Sequence, residues 1–421
     1  MTLFGVEGVA GSGKTYRLME LLEGHLRSAM LEDHQLALAL TFMHGARRRL
    51  RDRLRAIKPL HNRFECMTID SFAQRVLRRW RTLAKARGMP ILSETDFDAQ
   101  CDGAADLIDI EQVRAWVASR FPVVLLDEAQ DLGKGRLRIV SSLAKSVTMF
   151  VAGDEFQCLE STLRPSPAIA WLHTACTPEQ LTAMHRTKAS ALLAAAQDLR
   201  SGKAPTAGTE FKVYAAPSVP LAAAYLANAI NWNGGSTIAA ITPVLKGGFA
   251  YAIVNRVSTM ACDKAKKGPH PFLWENSDAE EAASMVRSLT LLWPATLGDL
   301  VAALGTAQQS GPIRQTIKWA RRQSRVLGKA TFERDEIEST IRRQVELRSQ
   351  YGGRAHQRLL AMTVHQAKNR EFEGVVVFWP YTVGGDVEHK RRLLYNAVTR
   401  AQRWCAVVVQ NSKPPLPPPF S

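Results

Sequence analysis

The stretch GVAGSGKT, residues 8–15, constrains the fold of this chain more than any other. It follows the apolar run LFGV and precedes Tyr16, Leu18, Met19, Leu21 and Leu22, which recur at helical spacing. Between a strand and a helix, Gly-x-x-x-x-Gly-Lys-Thr is a phosphate cradle. Its glycines let successive backbone N–H groups turn inward around phosphate oxygens at a helix N-terminus. Gly8, Ala10, Gly11, Ser12 and Gly13 would line the cradle, Lys14 would reach the β and γ phosphates, and the Thr15 hydroxyl would ligate Mg²⁺. The bland alternative is a glycine-rich turn before a helix, so a second motif has to decide.

That motif is FPVVLLDEAQDL, residues 121–132. The apolar run Val123, Val124, Leu125, Leu126 suits a strand buried on both faces of a parallel sheet. Asp127 and Glu128 then emerge at its carboxyl end, where open α/β sheets bind ligands. Asp127 is the expected carboxylate of the magnesium shell, and Glu128 the group that orients or deprotonates an attacking water. An acidic pair after a strand is weak evidence alone; paired with the cradle it points to a nucleoside triphosphatase.

The formal charge is +16, an excess that favours an acidic partner such as nucleic acid or an anionic membrane surface. No apolar run approaches a membrane span, and Met1 leads straight into the first strand, which leaves no place for a signal peptide. Cys66, Cys101, Cys158, Cys176, Cys262 and Cys405 are scattered without a C-x-x-C pair, and the histidines show no metal-ligand spacing. Reduced thiols in a cytoplasmic protein are the expectation.

Further segments narrow the class. They are ALTFMHGARRRLRDRL (39–54), CMTIDSFAQRVLRRW (66–80), VAGDEFQCLES (151–161), LTAMHRTKAS (181–190), AMTVHQAKNREFEGVVVF (361–378) and RRLLYNAVTRAQR (391–403). In this order and spacing the chain resembles superfamily 1 DNA helicases of the UvrD/Rep/PcrA type. The resemblance implies an α/β protein with two RecA-like P-loop NTPase-type domains, parallel sheets and small helical insertions. On that reading residues 1–80 and 121–177 form the first domain and 81–120 a small helical insertion. Residues 178–256 and 355–410 form the second domain, with 257–354 a reduced helical insertion and 411–421 a proline-rich tail read as a disordered end.

The resemblance also assigns roles. Gln157 falls on the γ-phosphate sensor, and Arg186 and Arg400 on two arginine fingers reaching across the cleft, although either could be a solvated helix-surface arginine. His185 takes the place of the adenine-stacking tyrosine, and Glu371 joins the nucleotide-binding residues. Thr41, Phe42 and His44, then Thr68, Asp70 and Ser71, would grip the strand from the first domain, and Thr363 and His365 from the second. A core role for Phe42 is almost equally favoured. The implied cofactors are ATP and Mg²⁺, and the implied partners are single-stranded and tailed duplex DNA. Movement would be 3′ to 5′ with duplex unwinding. An alternative is a nucleotide-gated DNA sensor that regulates a partner nuclease, and an RNA helicase is a weaker third reading.

The chain departs from the family pattern at several points. The upstream adenine-reading glutamine has no place before the first strand, Asp70 replaces a histidine, and Asn369 replaces a glycine. CLESTLRPSPA follows Gln157 without the usual base-stacking aromatic, for which Trp171 is a possible substitute unless it is simply core.

Overall fold

The computed structural model describes residues 2–42, 44–90, 96–244, 248–262, 266–275, 278–306, 310–351, 358–412 and 415–421. It is an α/β structure with two six-stranded sheets in which every strand pairing is parallel. The chain divides into two compact units. One holds residues 1–90, 98–275 and 356–421, and the other holds 91–97 and 276–355.

The first sheet runs in the order Phe64–Thr68, Ala37–Thr41, Val123–Leu126, Thr148–Gly153, Leu3–Gly8, Glu179–Leu181. Strands Ala37–Thr41 and Val123–Leu126 are fully buried and, apart from the closing Thr41, apolar, as a parallel sheet covered on both faces requires. One face packs against Leu18, Leu22 and Leu26 of helix Lys14–Ser28. The other packs against Phe72 and Val76 of helix Ile69–Arg79. The neighbouring strands Val123–Leu126, Thr148–Gly153 and Leu3–Gly8 end side by side, so Asp127, Asp154 and the glycine-rich loop meet at one carboxyl edge.

The second sheet has the order Phe211–Ala215, Ala401–Val409, Phe372–Trp379, Ile238–Thr242, Leu359–Thr363, Leu273–Trp274. Helices Val219–Asn233 and Phe249–Thr259 cover one face. Helices Ser190–Arg200 and Val387–Val398 cover the other, in a cluster that also takes in Ala10, Phe156 and Leu159 from the first half of the chain. The smaller unit packs helices Asp278–Arg287, Leu297–Thr306, Gly311–Leu327 and Arg334–Tyr351 around Leu300, Ile313, Ile337 and Ile341, beside a two-strand antiparallel ribbon.

Three boundaries differ from the sequence reading. Helices Phe97–Ile108 and Glu111–Arg120 do not stand apart as an insertion. Ala104, Leu107, Ile108, Val113 and Val117 bury fully in the core of the first sheet. Strand Glu179–Leu181 pairs with Leu3–Gly8, carrying the first sheet past residue 177. Residues 257–275 stay with the large unit, where Leu273–Trp274 edges the second sheet. The proline-rich tail is not a disordered end either. Leu416 and Phe420 pack on the second sheet's core, with the Phe420 ring edge-on to Trp379 at 5.5 Å. Burial of those two apolar side chains supplies what polyproline composition alone does not.

Candidate nucleotide and nucleic-acid site

The loop after strand Leu3–Gly8 has the backbone a phosphate cradle needs. Gly11 and Gly13 adopt φ of +82° and +87°, a left-handed conformation that glycine enters without strain. A Cβ on Gly8 would collide with Ser12 Oγ, and one on Gly11 would lie 2.7 Å from Arg186 Cβ. Helix Lys14–Ser28 begins at Gly13 with no side-chain cap, leaving its first N–H groups available to an anion. The buried Ser12 hydroxyl has no hydrogen-bond partner among the described residues. Lys14, also buried, folds back to donate to Gly8 O at 2.8 Å and Val9 O at 3.2 Å. These groups fit a triphosphate.

The acidic wall stands opposite. Thr15 Oγ1 donates to Asp127 Oδ2 at 2.9 Å, so the two residues assigned to magnesium already meet. Burial, reinforced by the Glu128 charge, pushes the Asp127 carboxyl up to about 6. A divalent cation would offset that cost. Among the described residues no cluster of three or more His, Cys, Asp or Glu could hold a metal without other ligands. A site that completes its shell with phosphate and water oxygens suits magnesium. Glu128 sits at φ +61°, a conformation that costs a non-glycine residue on the order of 1–3 kcal/mol and persists only when neighbours hold it. Gln130 does so, donating to Glu128 Oε2 at 2.6 Å while its own Oε1 accepts the Asp154 N–H at 2.9 Å.

Asp154 was not singled out by the sequence reading, yet it is the hub of this wall. Its buried carboxylate accepts from Gln157 Nε2 at 2.9 Å and from Arg200 Nη1 at 2.8 Å, and lies 4.0 Å from Lys14 Nζ. Arg200 and Arg392 flank the Phe156 ring at 5.1 and 4.9 Å. Tyr395 accepts the Ala10 N–H at 2.8 Å, a direct bond from helix Val387–Val398 to the phosphate loop. Only the G-D before Gln157 and the tyrosine of YNAVTR hinted at these roles; their partners are distant in sequence.

Segments that follow the first sheet's last strand reach the same pocket. His185 N–H donates to Gly11 O at 2.8 Å, which lays the His185–Arg186 segment over the loop and leaves the His185 side chain exposed beside Gly13. Arg186 Nε donates to Glu371 Oε1 at 3.1 Å and Nη1 to Thr399 O at 2.7 Å. Glu371 also accepts from Gln402. Burial alone would raise its pKa, but Arg186 and Arg49 hold the carboxyl below its usual value. Arg400 is buried at 2% exposure and, among the described residues, donates to Asn396 O and Thr399 Oγ1. No carboxylate lies within ion-pair distance of it among the described residues, and burial, with Arg186 adding repulsion, pulls its guanidinium down to about 9. A buried guanidinium that shares its surroundings with Arg186 and Glu128 is a candidate anion site.

Residues 1–218, more than half of the chain, match the family model described as an AAA domain. Residues 358–408 match the one described as a UvrD-like helicase C-terminal domain. The chain belongs to the UvrD-like superfamily 1 helicases. Its class is that of helicase-type P-loop ATPases, enzymes that bind and hydrolyse nucleotide, usually with Mg²⁺. No curated protein matches the chain at a significant level.

The residues expected at nucleic acid in this UvrD-like chain cluster at strand ends. Thr41 closes strand Ala37–Thr41 and is buried, and Phe42 is half-buried with the Arg136 guanidinium 5.5 Å from its ring. The side chain of His44 lies outside the described residues. Thr68 caps helix Ile69–Arg79, accepting the Ser71 N–H and donating to Ser71 Oγ at 2.8 Å. Asp70 is engaged elsewhere, accepting from Arg136 Nε at 2.8 Å and Cys101 Sγ at 3.4 Å. A carboxylate where the family carries histidine is thus neutralised by an arginine from another helix. Thr363 caps the one-turn helix Val364–Ala367 with a complete capping box. His365 is exposed on one side and desolvated on the other; that desolvation, with Lys368, holds its pKa below the ordinary histidine value. Trp171 is half-buried against the first core, which suits the bland reading over base stacking. Asn369 does adopt positive φ, +61°, in the place of the family glycine. Among the described residues no helix is long and apolar enough to cross a membrane.

Proposed function

We propose that this protein is an ATP-driven motor that moves 3′ to 5′ along single-stranded DNA and separates duplex ahead of it. The observation that carries the reading is Arg400, buried near Arg186 with no carboxylate in ion-pair distance among the described residues, while Arg186 itself packs on the phosphate loop. Phosphate oxygens are the partners that would complete such an arrangement.

ATP with Mg²⁺ would supply the transferable γ-phosphoryl group. Lys14 would leave the carbonyls of Gly8 and Val9 for phosphate oxygens, and Thr15 and Asp127 would hold the metal. Glu128, fixed by Gln130, would orient the attacking water and accept its proton. Gln157 would sense the γ-phosphate, Arg186 and Arg400 would neutralise charge that develops during transfer, and exposed His185 would stack on the base, with Glu371 holding Arg186 in register.

Thr41, Phe42, His44, Thr68 and Ser71 on one lobe, and Thr363 and His365 on the other, would hold the strand. Lobes that close on γ-phosphate and relax after hydrolysis would shift their grip in turn. The test is strand displacement on 3′-tailed and 5′-tailed duplexes, with ATP hydrolysis followed in parallel. Displacement of the 3′-tailed substrate alone is the expected result. Hydrolysis stimulated by DNA without displacement would instead favour a sensor that acts through a partner such as a nuclease, and equal stimulation by RNA would remove the DNA preference.

A further inference from the structure

One buried ion pair joins the turn that follows strand Leu359–Thr363 to the turn that carries Glu128. Lys368 Nζ lies 2.8 Å from both carboxylate oxygens of Asp131, and the two side chains are 9% and 8% exposed. Desolvation offsets much of the attraction in such a pair, so it is weak evidence of stabilisation; its better-attested use is to fix a geometry.

The geometry it fixes has two ends. On one side Asp131 closes the 3-10 turn Ala129–Asp131, and its N–H donates to Glu128 O at 3.2 Å. Within that turn, wholly buried Gln130 grips the Glu128 carboxylate. Gln130 and the Asp131 N–H thus hold Glu128 in place without calling on the Asp131 carboxylate. On the other side the Lys368 N–H donates to His365 O at 3.3 Å, directly after the helix that Thr363 caps. With the capping box complete, Thr363, His365 and Lys368 form one short rigid turn.

We propose that Lys368 and Asp131 are positioning residues that transmit nucleic-acid occupancy of the Thr363/His365 turn to the Glu128 carboxylate. The pair is a direct side-chain link between a turn assigned to the strand and the turn that aims the general base. A phosphate bound at Thr363 would shift Lys368, and Lys368 would draw Asp131 and the Glu128 turn with it. The inference rests on the DNA-motor reading.

The test uses the full chain, with ATP hydrolysis measured with and without an oligothymidylate, and binding of the same labelled oligonucleotide followed by anisotropy. Lys368→Met and Asp131→Asn should each keep DNA-free hydrolysis and oligonucleotide affinity within about threefold of the parent, while stimulation by DNA falls about tenfold or more. The double variant should be no worse than either single one, and Lys368→Arg should recover at least half of the stimulation. Undiminished stimulation in the variants, beside a parent that is stimulated, overturns the inference and leaves the motor reading intact. Loss of DNA-free hydrolysis in parallel with stimulation, or failure of Lys368→Arg to recover function, also overturns it, since the pair would then merely hold the fold. A parent that DNA does not stimulate sinks the motor reading itself, and this inference with it.

Discussion

At the scale of single residues, the pocket is built from groups that are costly until nucleotide arrives. Asp127 is the clearest case. Its folded pKa of about 6 exceeds the ordinary value of 3.8, so the fold favours the protonated form. That preference is intact below about pH 4 and is lost as pH rises through 6. Asp127→Asn should therefore raise the melting temperature of the nucleotide-free protein at pH 8, have almost no effect on it near pH 3.5, and abolish Mg²⁺-dependent hydrolysis; calorimetry at the two pH values checks the sign. Asp70 is a second case. Removing its charge leaves Arg136 with Asp98 as its remaining carboxylate partner, so Asp70→Asn should tighten binding of an oligothymidylate by up to about threefold and steepen its salt dependence. Weaker binding would show that the carboxylate itself serves the strand. The phosphate loop and the acidic pair were legible in the sequence because phosphate chemistry dictates their spacing. Asp154, Arg200, Tyr395 and Arg136 were not, since their partners are set by tertiary packing that no local pattern encodes.

At the scale of elements, the buried apolar run VVLL identified its parallel strand well: it is the strand Val123–Leu126. Such patterns reveal that a face is apolar without naming what covers it. Helices Phe97–Ile108 and Glu111–Arg120 therefore read as an insertion, although their small apolar residues complete the first core. The tail misled for the opposite reason, because its prolines masked the contribution of Leu416 and Phe420. Phe420→Ala should lower unfolding stability by about 1–2 kcal/mol through loss of the Trp379 contact, read by chemical denaturation. An unchanged transition would show that the tail's packing contributes nothing. Gly11→Ala should abolish nucleotide binding, because its Cβ would meet Arg186 at a backbone angle only glycine tolerates well.

At the scale of the molecule, two parallel sheets share one phosphate loop, and the second sheet contributes what the first lacks. Tyr395 touches the loop directly, and Lys368 touches the acidic turn. The charge of +16 fits a partner bound through its phosphates. Stimulation by DNA should accordingly fall steeply with added salt, while DNA-free hydrolysis changes little; parallel decline of both would point to salt acting on the enzyme itself. The most direct test of the whole account is single-turnover ATP hydrolysis by Arg400→Ala, alongside binding of a fluorescent ATP analogue. If the second sheet completes the catalytic pocket, nucleotide still binds within about tenfold of the parent affinity while the hydrolysis rate falls by about a hundredfold or more. Hydrolysis at the parent rate would contradict a pocket shared between the two sheets.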